Sequence, residues 1–312
     1  MAGDPVIQEL REEDAAAVAR LELAVNPHQV ATAASVWQRA SRRIEREQRR
    51  EWVAELDGEI VGSAYAGFEW AVPTRGKGRF WLGVHPERRS LGLGRALYDR
   101  VAGYLREHGA WRLRTWVDGD PAGTRFLERR GFARRGFDVV SVLELDSELP
   151  EPGVQVVPLG EVRDRVTDLF AICAAGEIDM PGDEPETELS IENWAQDDFG
   201  APDLSDDGSF VALEAGRPVS LAFLTVDPGR KVAYNLMTAT LPEFRRRGLG
   251  LAVKAAAARW AAANGFERIV TENESGNAGM RAINDRLGYR PLYEQTSWVL
   301  GLERERAAGE RG

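Results

Sequence analysis

Two stretches of the 312-residue chain hold residues that could do chemistry, and they hold the same ones. Val84 to Gly94 reads V-H-P-E-R-R-S-L-G-L-G, and Thr240 to Gly250 reads T-L-P-E-F-R-R-R-G-L-G. In both, an apolar run ends at Pro-Glu, an arginine (Arg89, Arg245) leads a Gly-x-Gly pair (Gly92 and Gly94, Gly248 and Gly250), and an apolar-periodic segment follows. A helix opening at such a turn presents unpaired backbone N–H groups and the positive end of its dipole, which together bind anions such as phosphate. Glycine lets the anion approach, because a Cβ at Gly92, Gly94, Gly248 or Gly250 would stand where phosphate oxygens go, and the arginine adds a charged fork. A single copy could equally be a tight strand-to-helix turn. Two copies make coincidence a poor account.

The titratable candidates lie close by in sequence. Glu272 ends the strand that begins at Arg268, and Tyr234 and Asn235 sit in the strand that enters the second turn. Glu272 reads either as a base at that end of the strand or as a solvated carboxylate at a helix start. Asp118 and Glu69 are the comparable carboxylates of the first half. His85 is replaced by Leu241 in the second copy, so the repeat does not require a histidine, and a surface turn is the simpler role. The one cysteine, Cys173, falls in an apolar helical run with Leu169 and Ile172 and reads as a small buried hydrophobe. With three scattered histidines, the chain shows no metal set and no internal disulfide framework.

The elements that must position these groups also occur twice. A short strand at 5–10 is followed by helices at about 12–25 and 30–50. Strands Trp52–Leu56 and Ile60–Trp70 flank the hairpin signal Asp57-Gly58, and Phe80–Val84 leads into the first turn. Leu93, Leu97, Val101 and Leu105 then recur on one helical face. A strand (Trp111–Val117), a short helix (about 121–130), Gly131-Phe132 and a pair of closing strands around 132–146 complete the half. After the proline-rich Glu148 to Gly153 the order returns: strand 154–159, helix 161–175, strands 210–214 and 219–226 around Gly216, strand Val232–Thr240, helix 248–264, strand 268–271, helix 276–287, Gly288-Tyr289 and last strands ending near Leu300. Gly58 corresponds to Gly216, Arg89 to Arg245 and Gly131 to Gly288, at offsets of 156 to 158 residues. The reading is a mixed α/β fold, mostly antiparallel with flanking helices, present as two tandem domains at 1–148 and 149–302 with a charged tail at 303–312.

Composition narrows the class. Apolar residues make up 43% and charged residues 29%, as in an ordinary globular protein. No apolar run reaches the roughly 18–20 residues that span a bilayer, and no basic-then-apolar leader opens the chain, so a cytoplasmic protein is expected. A net charge of −10 argues against nucleic-acid binding.

The element order, the Arg-x-x-Gly-x-Gly turn after the fourth strand and the later Gly-Phe or Gly-Tyr pair resemble the GNAT superfamily of N-acetyltransferases, over nearly the whole chain. The second half, with Thr271, Asn273, Asn277, Met280, Asn284 and Gly288-Tyr289, is similar to the tandem, mycothiol-synthase-like members. The resemblance implies acetyl-CoA, or another acyl-CoA, as co-substrate. It implies that Arg89, Ser90, Gly92, Leu93, Gly94 and Arg95 form one pyrophosphate site, and Arg245, Arg246, Gly248, Leu249, Gly250 and Leu251 the other. It also implies that the fourth strands, Leu82 to Val84 and Thr238 to Thr240, meet the pantetheine arm where they splay from the fifth, and that Asn277 contacts the cofactor. Many members place an acidic tyrosine four residues before the Gly-Phe pair; here that place is Leu127 in one half and Asn284 in the other. The Asn277 position is Asp120 in the first half, where a carboxylate repels phosphate, so the second half is the better cofactor site. Glu272, Tyr234 and Asn284 are its catalytic candidates.

The acceptor implied is a small amine, with no nucleic acid and no membrane involved. Residues 177–207 contain twelve Asp or Glu and no Lys or Arg, which would concentrate a cationic amine. Alternatively this stretch pairs with the six arginines at 39–50 and is structural. The missing tyrosine also leaves open a non-catalytic acyl-CoA-binding protein. A dinucleotide-binding dehydrogenase fits poorly, because Leu97 and Val253 stand where its third glycine would be.

Overall fold

The computed structural model describes residues 5–146, 149–180 and 184–302; the expected tail at 303–312 and the boundary residues 147 and 148 lie outside the described residues. The first half runs β1 (Val6–Glu9), α1 (Ala15–Val25), α2 (Ala33–Ser41), β2 (Arg50–Leu56), β3 (Glu59–Phe68), β4 (Lys77–Val84), α3 (Leu93–Glu107), β5 (Arg112–Asp118), α4 (Pro121–Glu128) and β6 (Ala133–Glu144). The second runs β7 (Val156–Pro158), α5 (Val166–Ile178), α6 (Ile191–Gln196), β8 (Phe210–Glu214), β9 (Arg217–Asp227), β10 (Val232–Thr240), α7 (Leu249–Ala263), β11 (Arg268–Glu274), α8 (Ala278–Leu287) and β12 (Arg290–Gly301).

The strands form one sheet in the order β1-β2-β3-β4-β5-β12-β6-β11-β10-β9-β8-β7. Its centre crosses the sequence repeat. β12, from the end of the chain, pairs with β5, while β6 pairs with β11. Each half therefore completes the other's sheet with its last strand. This replaces the expected pair of closing strands at 132–146 with a single long strand, since both edges of β6 are occupied by strands of the other half.

The helix expected at 30–50 stops at Ser41. Beyond it the chain turns inward: Ile44 is buried, and the Arg42 and Arg49 side chains close on buried Glu47. Gln48 takes a left-handed φ of 48°, and β2 begins at Arg50. The apolar faces of α3 and α7 pack against the strands of their own halves, which places the N-termini of both helices beside the ends of β4 and β10.

Candidate active site

β10 pairs in parallel with β11 only at Val232, Ala233 and Tyr234, although its antiparallel ladder to β9 continues to Thr240. From Asn235 onward the edge facing β11 is open, and a register slip between Asn235 and Met237 bends the strand away. Thr271 of β11 donates its hydroxyl to the Asn235 carbonyl at 3.2 Å, at the point where the strands part. The gap opens into a cleft of about 640 Å³ walled by β10, α7 and α8.

Every residue expected to hold cofactor in this half lines that cleft: Thr238, Thr240, Arg245, Arg246, Gly248, Leu249, Gly250, Leu251 and Asn277. The two glycines serve different ends. Gly248 caps α7 at φ 81°, a left-handed backbone, with open space where a Cβ would project. A Cβ on Gly250 would instead lie 3.3 Å from Ile283 Cδ1 of α8 and 3.7 Å from Thr240 Oγ1, so this glycine lets helix and strand close on the cleft. The vacant space before Gly248 and the free N-terminus of α7 suit a pyrophosphate. Arg245 is tied to Asp179, the C-cap of α5, at 2.5 Å and to the Thr240 carbonyl at 3.0 Å. Asn277 caps α8 by accepting from the Met280 N–H at 3.1 Å.

The first half repeats the backbone and changes the charges. Ser90 and Gly92 have φ 67° and 83°, as Arg246 and Gly248 have 59° and 81°, and β4 leaves β5 after Arg79. Asp120, in the place of Asn277, caps its helix through the Ala122 N–H and also pairs with Arg89 at 3.1 Å. The arginine of this turn is thus held by the carboxylate that replaces Asn277, whereas Arg245 is held by one from beyond the end of α5. Gly94 faces Phe126 at 3.6 Å, Leu93 is buried, and Leu82 and Val84 pack on the core; Arg95 opens α3.

Of the three catalytic candidates only Glu272 lines the cleft. Its side chain is accessible from the cleft, yet protein surrounds it on the other sides. That restricted solvation, with the carboxylates of Asp138 and Asp118, pushes it up to about 7, against a lowering hydrogen bond from Tyr234. Because the cleft side is open, burial acts less strongly than in a closed interior, but both carboxylates act in the same upward direction. Tyr234 is buried behind Glu272, and its hydroxyl is pushed well above its ordinary value by burial and by Glu272. Asn284 does not reach the cleft: it is buried and donates to Asn273 Oδ1 at 2.6 Å, and Asn273 is the residue that lines it.

The other candidates are engaged. Asp118 accepts from Asn26 at 2.7 Å and Gln295 at 2.6 Å, and Glu69 holds Arg112 at 2.8 Å. His85 accepts from the Glu87 N–H in a surface turn. Cys173 is buried. Among the described residues no cluster could hold a metal ion and no helix is long and apolar enough to cross a membrane.

Part of the acidic stretch pairs with the first half, through Arg42–Asp197, Arg46–Glu188 and Lys77–Glu184. Glu177, Glu186 and Asp198 instead face a smaller cavity of about 220 Å³, walled also by Trp70, Phe170 and Trp194. Glu177 and Asp198 border the larger cleft as well, so the two spaces adjoin. Burial, followed by Glu186 and Asp198, pushes the Glu177 carboxyl up to about 8. Burial thus separates the described acids of this stretch, alike in sequence, into groups paired with the first half and groups that face the cavity.

Against this geometry, the Acetyltransferase (GNAT) family profile matches residues 11–132 and again 171–289. The chain belongs to this family. It is a GNAT-type N-acetyltransferase built of two matched units. Among similar proteins are mycothiol acetyltransferases of Saccharomonospora viridis, 30% identical over 268 residues (78% of this chain, 80% of the relative), and of Amycolatopsis mediterranei, 28% identical over 253 residues (76% and 79%). A tandem GNAT protein from the clavulanic acid biosynthesis pathway has the same fold, with TM-score 0.71 at 19% identity over 96% of this chain and 99% of that one. A GCN5-related N-acetyltransferase from Sphaerobacter thermophilus superposes with TM-score 0.65 at 17% identity, covering 96% of each.

Proposed function

We propose that the second half binds acetyl-CoA, or another acyl-CoA, in the cleft between β10, α7 and α8, and that the acyl group passes directly to a small amine in a ternary complex. The observation that carries this is Glu272: an accessible carboxyl with a raised pKa, on the floor of the same cleft that the phosphate-binding turn opens.

The thioester supplies an activated carbonyl; the amine nitrogen forms the new C–N bond, the C–S bond breaks and the sulfur leaves as thiolate. Glu272, about half ionised near pH 7, takes the proton that the ammonium must lose to free its lone pair, and the proton released once the C–N bond has formed passes to the departing thiolate. Tyr234 orients the carboxylate from behind. The open edge of β10 beyond Asn235 offers backbone N–H groups to the arm of the donor and to the oxygen on which charge develops. Asn284 contributes by holding Asn273 in place. The acceptor enters from the adjoining acidic and aromatic cavity, where an arriving cationic amine ionises the raised carboxyls of Glu177, Glu186 and Asp198 and pairs with them, and the rings bind its charge. The name carried by the relatives, mycothiol acetyltransferase, supports a small-molecule acceptor.

Thiol release from acetyl-CoA over a panel of amines tests this reading. Amine-dependent release that saturates in both substrates with intersecting double-reciprocal lines is expected. Tight CoA binding without release from any amine would favour a binding protein instead.

A further inference from the structure

Helix α7 carries one side chain that the chemistry above leaves unused. Lys254 follows Gly250 by one helical turn and shares its face, the one turned toward Ile283 of α8. It is 2% exposed, and its Nζ is buried with no hydrogen-bond partner among the described residues. Its neighbour is the ring of Tyr289, with Nζ 4.8 Å from the centroid. Lys254 nevertheless forms part of the cleft wall, which Leu251, Ile283 and Arg286 also line.

The fold does not need a lysine there. The corresponding residue of the first half is Tyr98, whose ring packs between Phe80, Phe126 and Phe132 at 5.9 to 6.2 Å. An ammonium in the same place is costly unless an anion joins it. Burial alone pushes the amine down to about 7, and no neighbouring carboxylate offsets it. The anions of an acyl-CoA are its phosphates, and the turn at Gly248 would hold the pyrophosphate within the same cleft.

We propose that Lys254 is the interior counter-charge for a phosphate group of bound acyl-CoA, reaching it from the cleft wall between α7 and α8. This rests on the acyl-CoA reading of the cleft. The lysine lies in the free protein as an unpaired group, and ligand binding supplies its partner.

Calorimetric titration of CoA into wild type and Lys254→Met tests the proposal. The variant should bind CoA about 10- to 100-fold more weakly, the range for losing a charge-assisted hydrogen bond, while melting at or above the wild-type temperature without ligand. Dephospho-CoA, which lacks the 3′-phosphate, locates the contact. A loss confined to CoA assigns that phosphate, and equal losses for both ligands assign the pyrophosphate. Equal CoA affinity in the two proteins overturns the proposal whatever the melting temperature. Lys254→Tyr, carrying the residue of the first half, is the second variant should Lys254→Met fold poorly, and the same outcomes apply. A wild-type protein that binds no CoA would refute the cleft assignment instead.

Discussion

Replacing Tyr234 with phenylalanine should move the pH at which acetyl transfer switches on. Glu272 must be ionised to accept a proton, so with wild type log kcat rises with pH and levels off above about 7. The Tyr234 hydroxyl, buried at the back of the carboxyl, stabilises its charged form. A hydrogen bond to a charged acceptor contributes about 1.5–3 kcal/mol, and 1.36 kcal/mol corresponds to one pH unit. Glu272 is open to water on the cleft side, which places the effect at the lower end, about one unit. Tyr234→Phe should therefore shift the inflection upward by about one unit. Asp138→Asn should shift it downward, because a like charge that disfavours ionisation is removed. Glu272→Gln should lower kcat/KM by about 10²- to 10⁴-fold and abolish the inflection. The assay is thiol release from saturating acetyl-CoA between pH 5.5 and 9. An inflection that stays in place in both Tyr234→Phe and Asp138→Asn, or survives in Glu272→Gln, would refute Glu272 as the base.

The buried ion cluster between the arginine-rich segment and the acidic stretch should matter for stability rather than turnover. Arg42→Ala removes the link from Glu47 to Asp197 and should cost about 3 kcal/mol, the lower end for a buried pair because Glu47 keeps Arg79 and Arg49; a urea midpoint shift worth less than about 1 kcal/mol would contradict this. Burial pushes the Glu47 carboxyl up, but Arg79, Arg49 and Arg42 together outweigh it and take it down to about 2. Its contribution is thus complete above the ordinary carboxylate range and is lost as the pH falls toward 2, a slope that Glu47→Gln should flatten in acid-unfolding curves. Glu177→Gln should raise KM for a cationic amine by about tenfold and leave KM for acetyl-CoA within a factor of about two, as expected for a carboxyl in the acceptor cavity.

The second turn was legible in the sequence because its requirements are local. A left-handed residue at Gly248, a close contact at Gly250 and an asparagine cap at Asn277 each restrict residue type within a few positions, and β10 spans Val232 to Thr240 as expected of the strand that enters the turn. The exchange of β6 and β12 was not legible, because alternation shows that a strand has a buried face without saying which strand lies beside it. Arg42 to Arg49 read as a continuing helix on propensity, and the pull of buried Glu47 on three arginines overrode it. Lys254 was hidden for a related reason. In an alanine-rich helix a single lysine reads as solvated, and only the packing of α8 reveals that its face is closed. Glu272 was visible as a candidate, but its raised pKa comes from burial first and then from Asp138 and Asp118, carboxylates of the first half that the joined sheet brings near it.

Of two nearly identical turns, we propose that the second alone holds the acyl donor. Calorimetric titration with CoA of wild type, Gly250→Asp and Gly94→Asp tests it most directly. Wild type should bind one CoA per chain, Gly250→Asp should lose binding, because the new carboxylate crowds Ile283 and repels phosphate, and Gly94→Asp should leave the isotherm unchanged. Two equivalents per chain, or binding that survives Gly250→Asp and is lost in Gly94→Asp, would contradict it.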